Sequence, residues 1–164
     1  MKWDSLYKLQ KELDDDILMR NSLTREEVFD DKLLALIVEV GELANETRCF
    51  KYWSQKGPSE QSVILEEFVD GDSFLLSIGI DYGYNYNGQL RENSESSLTE
   101  LFHMLYGKIN RFKQNPTNMH YQKLMSTYLD VGLKLNFTED DILHAYLDKN
   151  KVNHERQQSG YLVL

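Results

Sequence analysis

The sequence predicts an all-α protein, an antiparallel bundle of about six helices that forms one domain over residues 1–164. Apolar residues recur at three- and four-residue steps along most of the chain, which is the spacing of a helix buried on one side. Helix-capping patterns precede several of these segments. The breaks between them are mostly short, so successive helices are expected to pack as antiparallel neighbours. We find no convincing β-hairpin pattern, internal repeat or low-complexity tract.

The first two helices follow from periodicity and capping. The first is expected at about residues 4–20, where apolar side chains follow helical spacing at Leu6, Leu9, Leu13 and Ile17. The second is expected to open at Thr24, because Thr24 and Glu27 have the spacing of a capping box, and to run to about Arg48.

The third helix is expected within residues 62–80, after a break at Gly57 and Pro58. Residues 82–97 are rich in Tyr, Asn, Gly and Ser and read as an exposed loop. Pro116 separates two of the later helices, and Ser97 and Thr138 are capping candidates. The remaining helices are expected at residues 98–114, at 118–135 and from 139 onward.

Two pairs of acidic residues interrupt the apolar pattern of neighbouring helices. Glu39 and Glu42 lie in the second helix, and Glu67 and Asp70 lie in the third. A spacing of three residues puts each pair on one helix face. If the two helices pack antiparallel, four carboxylates converge, and they would repel one another without a cation. Hard divalent cations prefer oxygen ligands, so the pattern predicts a Mg²⁺ or Mn²⁺ site. A solvated acidic surface is the alternative that spacing alone leaves open.

The C-terminal segment "KNKVNHERQQSGY" collects cations and amides in an otherwise acidic chain. Lys149, Asn153 and Arg156 fall at steps of four and three, so a continuing helix would put them on one face. Lys and Arg suit phosphate groups, which favours an anion site. A basic helix end that compensates the helix dipole is the alternative.

Composition limits the function classes. The formal net charge of −9 argues against a general nucleic-acid-binding surface, which needs a basic footprint. Cys49 is the only cysteine, so no internal disulfide is possible and a reducing, cytoplasmic setting is expected. The N-terminal residues show no apolar signal-peptide region, and no apolar run approaches membrane-spanning length, so no membrane partner is expected.

These motifs together resemble those of the dimeric all-α dUTPases, within the wider all-α NTP pyrophosphatase (MazG-like) superfamily. The superfamily pattern E-x-x-E, linker, E-x-x-D is matched by "EVGE" and "EFVD". Between them, "CFKYWSQKGP" is similar to the aromatic-and-lysine segment of dimeric dUTPases, and "LQKELDDDI" is similar to their Leu-Gln start. The C-terminal motif is the most specific match. The resemblance runs from about Leu9 to Tyr161, except in residues 82–97, which match nothing.

The resemblance implies hydrolysis of dUTP to dUMP and pyrophosphate by a homodimer. It implies that the four acids ligate Mg²⁺, and that Glu42, with Glu39, acts as the catalytic base. The implied substrate-binding residues lie near both ends of the chain and in the linker between the acidic helices: Gln10 at the uracil edge, Trp53 at the base pocket, Lys149 and Arg156 at the phosphates, Asn153 at a phosphate or the sugar, and Tyr161, which folds back.

Three other functions stay open at this point. The same fold can act on another nucleotide, such as dCTP, because base choice depends on few contacts. A non-catalytic helical interaction protein with an acidic face is the second. A metal-storage or di-iron bundle is the third, but it would need a Glu-x-x-His pair, which neither acidic helix contains.

Overall fold

The computed structural model describes residues 1–86, 88 and 95–160, and within them it contains six α-helices and no strand. The prediction of an all-α fold is confirmed. The helices are α1 (Trp3–Arg20), α2 (Phe29–Thr47), α3 (Gln61–Tyr82), α4 (Leu98–Gln114), α5 (Asn118–Lys134) and α6 (Glu139–Gln158).

Two of the three capping residues predicted from the sequence mark a helix start. Ser97 and Thr138 both close capping boxes, at the starts of α4 and α6. Thr24 Oγ1 also accepts a hydrogen bond from the backbone N–H of Glu27, at 3.3 Å. The turn that follows is a short 3₁₀ helix, however, and α2 begins only at Phe29. The expected start of this helix was therefore five residues too early.

Helix α3 is the centre of the bundle, packed against α1, α2, α5 and α6. Its buried residues point in several directions, which is typical of a helix surrounded by others. These residues are Ile64, Phe68, Val69, Gly71, Asp72, Leu75, Leu76, Ser77, Ile78 and Gly79. Helix α4 packs on α5 and α2 at the side of the bundle.

Small residues let α3 and α5 approach closely. The Tyr128 ring of α5 stacks on Phe68 with ring centroids 4.6 Å apart, and its hydroxyl donates to the Phe68 carbonyl oxygen at 2.5 Å. A Cβ atom on Gly71 would lie 2.2 Å from the Tyr128 hydroxyl oxygen, and one on Gly132 would lie 2.7 Å from the Phe68 ring. This tight packing fixes the position of the α3 turn that contains Asp70.

None of the helices in the described part of the chain combines the length and the apolar character needed to span a bilayer.

Candidate active site

A cleft of about 470 Å³ opens where α1, α2, α3 and α6 meet. Its polar lining comes from all four helices: Gln10, Asp14, Asp31, Lys32, Glu39, Asp70, Ser73, Ser77, Lys149, Asn153 and Arg156. Apolar side chains complete it, among them Leu13, Ile17 and Phe74. The cleft has the size and mixed lining of a small-molecule site.

Three carboxylates from α2 and α3 form a compact cluster beside this cleft. One oxygen from each of Glu39, Glu67 and Asp70 lies within 4.8 Å of the others, and all three residues are partly buried. Glu39 Oε2 and Glu67 Oε2 are buried and accept no hydrogen bond from any described residue. Buried polar atoms are normally paired, so these two oxygens fit a cation that binds between them.

The electrostatics of the cluster support the same conclusion. Burial, reinforced by the charges of Asp70, Glu42 and Glu67, raises the pKa of Glu39 to about 8. Burial and the charges of Asp70 and Glu42 raise the pKa of Glu67 to about 7. The pKa of Asp70 is also raised, mainly by burial, although Lys149 opposes the shift. Without a cation, the three carboxyl groups are not all ionised at neutral pH. A hard divalent ion bound between them would favour their ionised forms.

Glu42 lies at the edge of this cluster. Its side chain interacts with both Glu39 and Glu67, but it is exposed and does not belong to the compact group of three. Glu42 is also not among the residues that line the cleft. Its predicted roles as a metal ligand and catalytic base stay predictions.

Helix α6 continues through Gln158 and brings the predicted cations to the cleft. Lys149, Asn153 and Arg156 share one helix face, as their spacing predicted, and all three line the cleft. Lys149 Nζ lies 3.2 Å from Asp70 Oδ1 and 2.7 Å from Glu66 Oε1. The cationic groups therefore adjoin the acidic cluster directly.

Gln10 is held by a polar cluster on the α1 side of the cleft. Its Nε2 donates to Asp14 Oδ1 at 2.9 Å, and its Oε1 accepts from the Tyr146 hydroxyl at 2.8 Å. Ser77 Oγ donates to the other Asp14 oxygen at 2.6 Å. An amide has two N–H groups and two lone pairs, so these bonds orient Gln10 while using one of each.

The structure does not bring Trp53 to the cleft. Trp53 is 64% exposed in the linker between α2 and α3, where its ring meets Tyr52 edge to face at 5.2 Å. Tyr161 lies outside the described residues. Both assignments stay predictions.

Five polar residues that line the cleft were missed in the sequence: Asp14, Asp31, Lys32, Ser73 and Ser77. Asp14 follows Gln10 by one helical turn, so its position was a usable signal. Ser77 and Lys32 belong to no recognisable pattern; Lys32 lies here because its Nζ pairs with buried Asp81, 2.5 Å away. Glu66 precedes the second acidic pair and contacts Lys149 from the surface.

A family model described as dUTPase matches residues 2–161 of the chain. The chain belongs to this dUTPase family. Membership confirms the resemblance seen in the motifs and makes the chain an enzyme, a dUTP diphosphatase among the hydrolases that act on acid anhydrides. Members of the family generally use a divalent metal. No curated protein matches the chain.

Proposed function

We propose that the chain converts dUTP and water to dUMP and pyrophosphate with Mg²⁺, or Mn²⁺ in its place. The observation that supports this most directly is the close approach of three partly buried carboxylates beside a cleft that also contains Lys149 and Arg156. A phosphate chain needs both kinds of group: acids that hold a metal, and cations that meet the remaining phosphate charge.

Glu39, Glu42, Glu67 and Asp70 would hold the metal. The two unpaired buried oxygens, on Glu39 and Glu67, supply the strongest support, since an anionic oxygen in that position is costly without a cation. When bound, a divalent ion neutralises phosphate charge and lowers the pKa of a bound water. We assign to Glu42 the removal of the proton from the attacking water, with Glu39 beside it, because the exposed Glu42 carboxylate is accessible to solvent.

The α6 residues would bind the phosphates. Lys149 provides a point charge and Arg156 a planar group suited to two phosphate oxygens. Asn153 lies between them on the same helix face and can donate to a phosphate or to the sugar.

Gln10 would recognise the uracil edge. Its bonds to Asp14 and Tyr146 fix which side of the amide donates and which accepts, so base recognition would cost little side-chain entropy. Trp53 is retained as a base-pocket residue only as an expectation, because it lies away from the cleft lining. Tyr161 is retained on the same terms.

A cytoplasmic homodimer that does not bind nucleic acid completes the proposal. Support for a second subunit comes from large apolar side chains exposed on neighbouring α2 and α4: Leu34, Val38, Met104 and Tyr106. Leu34 and Val38 are one helical turn apart on α2, and neighbouring exposed apolar side chains are typical of a subunit interface. The net charge of −9 supports the absence of a nucleic-acid partner.

Pyrophosphate release from dUTP, dCTP, dTTP and UTP, each with Mg²⁺, with Mn²⁺ and with EDTA, tests the proposal. We expect release from dUTP to exceed the others, to yield dUMP, and to disappear with EDTA. Asp70→Asn is the matched variant and should lose the activity. A preference for dCTP would refute the base assignment, and full activity in EDTA would refute the metal assignment.

A further inference from the structure

Lys149 lies between two carboxylates, only one of which belongs to the proposed metal set. Its Nζ is 2.7 Å from Glu66 Oε1 and 3.2 Å from Asp70 Oδ1. The Lys149 side chain is 12% exposed, whereas that of Glu66 is 60% exposed. Glu66 and Asp70 are one helical turn apart, so both lie on the face of α3 that meets Lys149 of α6.

The Lys149 ammonium is well stabilised in this position. Its hydrogen bonds to Glu66 and Asp70, and the charges of both carboxylates, raise its pKa despite partial burial. The same cation opposes the rise in the pKa of Asp70. Lys149 therefore already gives Asp70 part of the positive charge that a metal would supply.

A divalent cation at Asp70 and an ammonium in contact with the same carboxylate would repel each other strongly. Binding of one therefore weakens the binding of the other, because both draw on the negative charge of Asp70. Glu66, which faces solvent, is one alternative partner for Lys149. A nucleotide bound in the cleft that Lys149 lines would offer its phosphates as another.

We propose that Lys149 is an internal counter-ion that competes with the divalent metal for Asp70, and that Glu66 positions it for release. The metal takes Asp70, Lys149 moves from it to the substrate phosphates, and metal and nucleotide consequently bind with positive coupling. Glu66 is a positioning residue, since it acts through Lys149. The inference rests on the proposed metal and phosphate sites.

Titration of the full-length protein with Mn²⁺ tests the competition directly. Free Mn²⁺ is followed by electron paramagnetic resonance, without nucleotide and then with a non-hydrolysable α,β-imido analogue of dUTP. Lys149→Met should bind Mn²⁺ alone roughly fivefold or more tightly than wild type, a typical size for coupled sites. Lys151→Met is the matched control: it removes the same charge from an exposed position of the same helix and should stay within about twofold.

The nucleotide arm measures coupling. In the wild type, the analogue should tighten Mn²⁺ binding by a larger factor than it does in Lys149→Met, because only the wild type has a lysine to transfer. An unchanged Mn²⁺ affinity in Lys149→Met, or equal coupling in both proteins, would overturn the inference while leaving the proposed function standing. A wild type that binds no Mn²⁺ with or without analogue would refute the proposed metal site itself.

A double-mutant cycle tests the role of Glu66. Glu66→Gln should weaken Mn²⁺ binding in the wild-type background, because Lys149 then has Asp70 as its main partner. In the Lys149→Met background the same change should have less than about a twofold effect at 0.15 M salt, where exposed charges are screened. Equal weakening in both backgrounds would make Glu66 a metal ligand and would overturn the positioning role.

Discussion

Glu39→Gln should make the metal-free protein more stable at alkaline pH. Burial and three neighbouring acids raise the Glu39 pKa from 4.5 in its ordinary state to about 8. The unfolded chain therefore releases this proton near pH 4.5, and the folded protein releases it near pH 8. Between these values the folded state binds more protons, so the free energy of unfolding falls as the pH rises through the window. The amide of Gln does not titrate in this range, so the Glu39→Gln protein does not lose this part of the free energy of unfolding as the pH rises.

The expected gain follows from the size of the shift. Each tenfold change in proton affinity corresponds to about 1.4 kcal/mol, which sets an upper limit of about 5 kcal/mol for Glu39. The carboxyl is only half-buried, so solvent screening reduces the effect, and we expect about 1–2 kcal/mol at pH 8. For a chain of 164 residues this raises Tm by about 2–8 °C. Near pH 4 the gain should vanish.

Urea denaturation in EDTA at pH 4.5 and pH 8 measures the effect. Glu12→Gln is the matched control, the same isosteric change at an exposed position of α1 outside the compact cluster, and should stay within about 0.5 kcal/mol of wild type. With saturating Mg²⁺ the order should invert, because the metal binds more tightly to, and so stabilises more, the protein that keeps all its ligands. Equal or lower stability of Glu39→Gln at pH 8 in EDTA would refute the account of the acidic cluster.

The other predictions concern the cleft, the core and assembly. Arg156→Ala should lower kcat/KM for dUTP by about 10- to 100-fold through the loss of a charge-assisted contact, and steady-state kinetics that match wild type would contradict the phosphate role. Gly71→Ala should lower the free energy of unfolding by about 1–3 kcal/mol, because the new methyl group overlaps the Tyr128 hydroxyl; unchanged urea denaturation would contradict the packing. Light scattering should give a dimeric mass for wild type and a monomeric mass for Leu34→Asp, whose side chain is 60% exposed on the apolar patch of α2; a monomeric wild type would argue against the dimer.

Features that depend on local chemistry could be predicted from the sequence. The capping boxes at Ser97 and Thr138 form because each needs only residues within one turn. The pairing of acids across α2 and α3 followed from spacing and a short linker. The predicted start of the second helix at Thr24 was wrong. A capping residue satisfies one backbone N–H group but does not determine whether the next turn is α-helical or 3₁₀.

Features that depend on distant contacts could not be predicted. Lys149 reaches Asp70 only because α6 packs on α3. Asp72 is fully buried with neither carboxylate oxygen bonded to a described residue, and burial raises its pKa to about 7. The step of two residues turns Asp72 to a different face of α3 from Asp70, which lines the cleft, but it does not tell whether that face is buried. The surrounding helices make that difference, and their placement is not encoded within the α3 segment.

The residues that line the cleft are as distant in sequence as Gln10 and Arg156, so the ribosome synthesises the parts of the site at different times. The pairing of α2 with α3 joins neighbours along the chain and can form early, because short loop closures are fast. The acidic groups can therefore converge before the ribosome has delivered α6 and its lysine. Until then Lys149 cannot compensate the cluster and only protons or a free cation can, so the folding rate of the nascent chain should depend on Mg²⁺ more strongly than that of the finished protein.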